Sequence, residues 1–185
     1  MKNVPDEELV EKIRSENNEL YAEIVRRYQQ KLYRYLRYLT NRPDEAEDLL
    51  QDVFIKVYRN LFGFDTKRKF SSWIYRIAHN EGLNFLKKTA RKNQVSLENA
   101  DFSLESEDDS IEDTFSKKEI RGMVNECLDE LETKYREPLV LYYFEDKSYR
   151  EIGDILRIPP KTVGTFIFRG KRILKGICEK KEVTW

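Results

Sequence analysis

The chain has 185 residues, 37% of them charged and 39% hydrophobic, and its 34 basic residues balance 34 acidic ones. That composition supports amphipathic helices rather than one large core, and the absence of any apolar run of eighteen residues excludes a membrane-spanning helix. Cys127 and Cys178 lack metal-ligand spacing, and the acidic start has no signal-peptide core, so a reduced, cytoplasmic setting is expected.

Taken in chain order, 3.6-residue periodicity dominates and alternation of the strand kind is scarce, so the fold expected is all-α. A first helix is expected over Pro5–Ser15. A second covers Asn18–Leu39, with Leu20, Ile24, Tyr28, Leu32, Tyr35, Leu36 and Leu39 on one stripe. Arg42-Pro43 breaks it. The third runs from Pro43 to Leu61, with Asp44, Glu45, Glu47 and Asp48 at its positive end. Its apolar stripe is Ala46, Leu50, Val53, Phe54 and Val57. A loop with Gly63 follows, then a fourth helix to Arg91 with Ser71 as its cap.

Residues 94–116 hold eight acidic side chains and no lysine or arginine. Without those eight, 34 basic residues face 26 acidic ones, so two mildly basic bodies flank an acidic flexible linker. The division expected is residues 1–92, a linker over 93–116, and residues 117–185. Helices are expected over Lys117–Leu131 and Lys134–Tyr143, the latter capped by Thr133.

The stretch Ser148–Lys175 reads as a DNA-binding helix-turn-helix. Ser148 and Glu151 have capping-box spacing, which starts a short helix with Ile152, Ile155 and Leu156 on its apolar face. Ile158 and Pro159-Pro160 turn the chain. The second helix puts Val163, Ile167 and Leu174 inward. That leaves Lys161, Thr162, Thr165, Phe168, Arg169, Lys171 and Arg172 for duplex DNA: early residues for base edges, later cations for phosphates.

Upstream, Phe62, Phe64, Lys67, Arg68, Lys69, Phe70, Trp73, Tyr75 and Arg76 interleave aromatic with basic residues. Single-stranded nucleic acid asks for that mixture, because rings stack on bases while cations follow the backbone. Core aromatics give the same composition, and Trp73 at the start of an apolar helix suits packing at least as well.

Two blocks carry a resemblance. EDLLQDVF (47–54) followed by FSSWIYRIAHN (70–80) resembles region two of the bacterial extracytoplasmic-function sigma factors, and YREPLVLYYFEDKSYREIGDILRIPPKTV (135–163) resembles their region four. The likeness spans about residues 15–92 and 117–178. It implies two small helical domains, a four-helix region two and a helix-turn-helix region four, joined by the linker. It implies a transcription initiation factor that is not an enzyme and needs no cofactor, metal or small-molecule substrate.

The resemblance also implies partners. The helix carrying Asp48, Leu49, Gln51, Asp52 and Phe54 would dock on the β′ clamp helices of core RNA polymerase, and region four would meet the β flap. Phe64, Lys67, Arg68, Lys69, Phe70, Trp73, Arg76, Asn80 and Asn84 would open and read the −10 element, with Asn80 at a flipped base. The helix-turn-helix would read the −35 element. An anti-sigma factor, in membrane-associated form, would hold the protein inactive, and the acidic residues 97–113 would mimic nucleic acid inside the polymerase.

Lys161, Gly164 and Phe166 stand where the family usually has glycine, a basic residue and arginine, so an unusual −35 preference is expected. A helix-turn-helix regulator acting without polymerase would explain residues 148–175 but not the upstream block. A nuclease or a protein-binding adaptor finds no supporting motif: no histidine or cysteine metal spacing, no glycine-rich phosphate loop.

Overall fold

A computed structural model describes residues 4–15, 17–95 and 124–181. The N-terminal half contains α1 (Asp6–Ser15), α2 (Tyr21–Thr40), α3 (Pro43–Asn60) and α4 (Phe70–Val95), with single turns of 3-10 helix at Asn18–Leu20 and Leu61–Gly63. The C-terminal half contains a helical stretch over 124–129, then α5 (Thr133–Tyr143), α6 (Tyr149–Leu156) and α7 (Pro160–Lys180). The described residues contain no strand. Most of the expected linker, and residues 117–123 of the helix expected after it, lie outside the described residues.

Local chemistry sets most boundaries. Asn17 caps the turn before α2 by accepting the Glu19 N–H at 2.8 Å, and Asn41, left-handed at φ 56°, ends α2. Pro43 opens α3, where the first N–H groups have no helical acceptor. Two expected caps are corrected. Helix α4 begins at Phe70, one residue before Ser71, because Glu7 of α1 reaches across and accepts the Phe70 N–H at 2.8 Å. Thr133 is already helical: Glu132 occupies the cap position of α5 and makes no side-chain cap.

Helix α2 is the hub. Ile24, Leu32, Tyr35, Leu36 and Leu39 are buried on it, α3 and α4 pack on its flanks, and α5 rests on its C-terminal half. In α3 the buried residues are Ala46, Leu49, Val53 and Val57; Leu50 and Phe54, expected in that stripe, are only partly covered. One apolar cluster runs from Leu9 in α1 through α2 and α4 to Ile167 in α7, so the two halves share a core. Cys127 and Cys178 form a separate buried pair, and burial pushes the Cys178 thiol up to about 12.

Candidate nucleic-acid interface

Four local devices build α6 and the turn into α7. Ser148 Oγ accepts the Glu151 N–H at 3.3 Å, while Glu151 accepts the Ser148 N–H at 2.9 Å, completing the capping box. Burial raises the Glu151 carboxyl, but the Ser148 hydrogen bonds and Lys69 outweigh it and hold the group at about 2. Arg157 takes the left-handed conformation at φ 57° and ends α6. Glycine at 153 lets the chain fold back closely, since a β-carbon there would lie 2.8 Å from the Ile158 carbonyl oxygen. Pro160 then starts α7.

On α7, Val163, Ile167 and Gly170 are buried, and Leu174 is partly covered. Lys161, Thr165, Phe168, Arg169, Lys171 and Arg172 are exposed, and Thr162 half so. Phe168 is 70% exposed, a large apolar side chain held in water on an otherwise cationic face. Phe166 is not on that face: it is half-buried, edge-on to Tyr135 at 5.8 Å.

The upstream block divides in two. Arg14 donates to the Leu61 carbonyl at 3.1 Å and to that of Phe64, pinning the loop to α1. Phe64 and Phe70 are buried, 4% and 0% exposed, so their expected place on nucleic acid is corrected: they are core. Their rings meet each other at 5.4 Å, and Tyr28 closes on Phe70 at 5.7 Å. Trp73 lies across both, at 4.9 and 5.5 Å, and stays partly exposed. Above this base, Lys67, Arg68 and Lys69 are exposed. Arg76, Asn80 and Asn84 follow at four-residue spacing on one face of α4, the last two exposed.

That face meets α6. Arg76 donates through Nε to the Asp154 carbonyl at 2.9 Å, and Lys69 Nζ lies 3.0 Å from Glu151. Beside them sit two carboxylates that sequence reasoning missed. Glu145 is 6% exposed, accepts from the Tyr75 hydroxyl, and pairs with Arg34 at 2.8 Å. Glu137, equally buried, accepts from the Tyr35 hydroxyl, and His79 Nδ1 lies 2.6 Å from it. Lys147 places its ammonium 4.5 Å over the Tyr75 ring. Burial pushes the Glu145 carboxyl above its usual range, against the pull of Tyr75, Arg34 and Lys147. Burial likewise raises the Tyr35 and Tyr75 hydroxyls and lowers the Lys147 ammonium. The only sequence signal was position: Glu137 and Glu145 flank an apolar run, where a lone charge needs a partner from elsewhere.

On α3, Asp48, Gln51 and Asp52 are exposed and share a face with Ile55, itself 48% exposed. Tyr58 and Phe62 continue the exposed apolar surface at the C-terminal end. Leu49, expected on that face, is corrected to the core at 8% exposure. Phe54 is half-buried, and its carbonyl accepts the Tyr21 hydroxyl at 2.7 Å. Among the described residues, no group of three or more His, Cys, Asp or Glu is arranged to hold a metal.

Comparison with known proteins covers both halves. The family description "Sigma-70 region 2" matches residues 24–92, and "Sigma-70, region 4" matches residues 121–174. The chain is 33% identical to the ECF RNA polymerase sigma factor SigW of Bacillus subtilis over 90% of this chain and 92% of that one. It is 30% identical to the RNA polymerase sigma-H factor of Pseudomonas aeruginosa, covering 91% of each. In fold it is similar to the sigma factor RpoE of Bartonella quintana, solved with the anti-sigma factor NepR, at a TM-score of 0.75 and 19% identity over 86% of this chain and 96% of that one. It is also similar to CnrH, solved with the cytosolic domain of CnrY, at 0.69 and 21% over 95% and 97%. Two matched regions in chain order, with a relative this similar along nearly its whole length, establish that the chain belongs to the extracytoplasmic-function (ECF) sigma factors of RNA polymerase.

Proposed function

We propose that this sigma factor docks on core RNA polymerase through the exposed face of α3, opens and reads the −10 element with the Lys67–Lys69 loop and the Arg76–Asn80–Asn84 face, and reads the −35 duplex with α7. The observation that carries this is the outward face of α7. Cations cluster there around Thr165 and Phe168, on a helix that Pro160 opens directly after the tight turn ending α6. Exposed Asp48, Gln51, Asp52 and Ile55 suit docking, since a protein interface pairs an apolar centre with a polar rim.

The face proposed to read the −10 element here packs on α6, the helix immediately before the −35 reader α7. Promoter elements about 25 base pairs apart lie roughly 85 Å apart at about 3.4 Å per step. The Lys69–Glu151 contact spans 3.0 Å. This arrangement is therefore a closed form, and engaging both elements requires α6 and α7 to leave α4. An anti-sigma factor anchored at the membrane would act in the cytoplasm by keeping it closed. The similarity in fold to RpoE, solved with the anti-sigma factor NepR, supports that reading.

The test is run-off transcription with purified core polymerase on a promoter library, alongside co-purification of polymerase with the chain. Polymerase-dependent, promoter-selective transcripts are expected. Duplex binding with neither co-purification nor transcripts would overturn the proposal in favour of a regulator acting without polymerase.

A further inference from the structure

Helix α1 precedes the residues matched as region 2, which begin at Ile24. Leu9, Val10 and Ile13 bury one side of it. Glu7, Glu11 and Arg14 follow at i, i+4 and i+7, which places them along one stripe. All three reach the loop between α3 and α4. Arg14 donates to the carbonyls of Leu61 and Phe64 at the start of the loop. Glu11 accepts the Thr66 hydroxyl at 2.8 Å in its middle. Glu7 accepts the Phe70 N–H at 2.8 Å at its end.

The exposed cations Lys67, Arg68 and Lys69 therefore lie between two α1 anchors, at 66 and 70. The loop's own bonds there are local. Asp65 accepts the Lys67 N–H on its side chain at 3.1 Å and the Arg68 N–H on its carbonyl at 2.9 Å. Those bonds shape a turn without fixing it to the rest of the fold.

We infer that α1 is a positioning helix for the −10 reader: Glu7, Glu11 and Arg14 hold the cationic loop in its DNA-binding geometry, acting through the loop rather than on DNA. The loop is then ordered during folding rather than on binding, which raises affinity for the single strand. Charge and geometry predict opposite signs here. Carboxylates repel a phosphate strand, so if Glu7 and Glu11 acted through charge, their loss would tighten binding. As acceptors that hold the loop, their loss weakens it. The inference rests on the assignment of this loop to the −10 element.

The test uses the full-length protein with core polymerase on a forked promoter. Its −10 non-template strand is single and carries 2-aminopurine, whose fluorescence rises when a base leaves the stack. Glu7→Ala should lose about tenfold in affinity for the fork and show a smaller fluorescence rise. Glu7→Gln, whose amide oxygen still accepts the Phe70 N–H, should bind within about twofold of wild type. Binding of a −35 duplex without a −10 element should not change in either. Tighter or unchanged fork binding by Glu7→Ala would overturn the inference. So would a loss in Glu7→Gln equal to that in Glu7→Ala, or an equal loss on the −35 duplex. Thr66→Val removes only the hydroxyl that Glu11 accepts and should cost about threefold. It keeps the inference testable if Glu7→Ala does not fold, and no loss there would overturn it. If Lys67→Ala, Arg68→Ala and Lys69→Ala together leave fork binding unchanged, the −10 assignment of the loop fails instead.

Discussion

Lys69, in the loop before α4, sits 3.0 Å from Glu151, the carboxylate that closes the capping box of α6. One ion pair thus joins the segment proposed to read the −10 element to the helix that frames the −35 reader. The pair itself contributes little, because the lysine is 71% exposed and water screens it. It marks a larger interface whose strength lies in Glu137, Glu145 and the shared apolar cluster.

Glu145 is the group whose loss should open the molecule. Glu145→Ala leaves the buried Tyr75 hydroxyl without its acceptor, at a cost of about 1–3 kcal/mol to the closed form. Arg34 is 43% exposed and can turn to water, so its loss adds little. Energy transfer between dyes on α1 and α7 should fall as the open population rises. Unchanged transfer would reject Glu145 as a closing contact.

The pH dependence of closure follows from the same residue. Around Glu145 stand Arg34 on α2, Tyr75 on α4 and Lys147 on its own loop, yet burial dominates and raises its carboxyl above the ordinary 4.5. The closed form therefore binds a proton more readily than a form with Glu145 in water. Stabilisation from this source is complete below 4.5 and is lost as pH rises through the raised value. Acidifying from neutrality toward pH 4.5 should favour closure in the same energy-transfer measurement, and Glu145→Gln should flatten the response.

The capping box makes the opposite prediction. Its carboxylate is held at about 2, so its contribution is present above the ordinary 4.5 and is lost as pH falls through about 2. Ser148→Ala should lower stability by about 1 kcal/mol at neutral pH. Thermal unfolding read by circular dichroism checks this; an unchanged midpoint would count against the cap.

Gly153→Ala should be worse than its size suggests. The added carbon would sit 2.8 Å from the Ile158 carbonyl oxygen, a backbone atom that cannot turn aside. A loss of about 1–3 kcal/mol is expected, as for overpacking. Gly63→Ala serves as the control, because nothing lies within 4 Å of its added carbon. Equal midpoints for the two variants would contradict the geometry.

On α3, adjacent functions separate by burial. Leu49→Ala should destabilise the protein by about 2–5 kcal/mol, since Leu49 is packed in the core. Ile55→Asp should leave stability within about 0.5 kcal/mol but weaken capture by immobilised core polymerase at least tenfold. Retained capture would place docking elsewhere.

Much of this was legible in the chain because it depends on near neighbours in sequence. The capping box needs residues three apart, and the helix stripes need 3.6-residue periodicity, so the all-α fold and the helix-turn-helix could be read directly. The α4 start could not, because its first N–H is capped by Glu7, 63 residues away. Phe64 and Phe70 were misplaced for the same reason. An aromatic residue among lysines looks alike whether it faces a base or a core, and only Tyr28 and the loop anchor from Arg14 turn those rings inward.

The sequence by itself therefore determined the helices, the turn chemistry and the family. Tertiary structure decided which side chains remain free to act. It buried Leu49, Phe64 and Phe70, laid Tyr149 on Gly164, and brought the Lys69–Arg76 segment against α6 beside the buried Glu137 and Glu145. The reason is physical. Local hydrogen bonds and periodicity are written in short windows of sequence, whereas desolvating a charge or filling the space beside a glycine depends on atoms brought from distant parts of the chain.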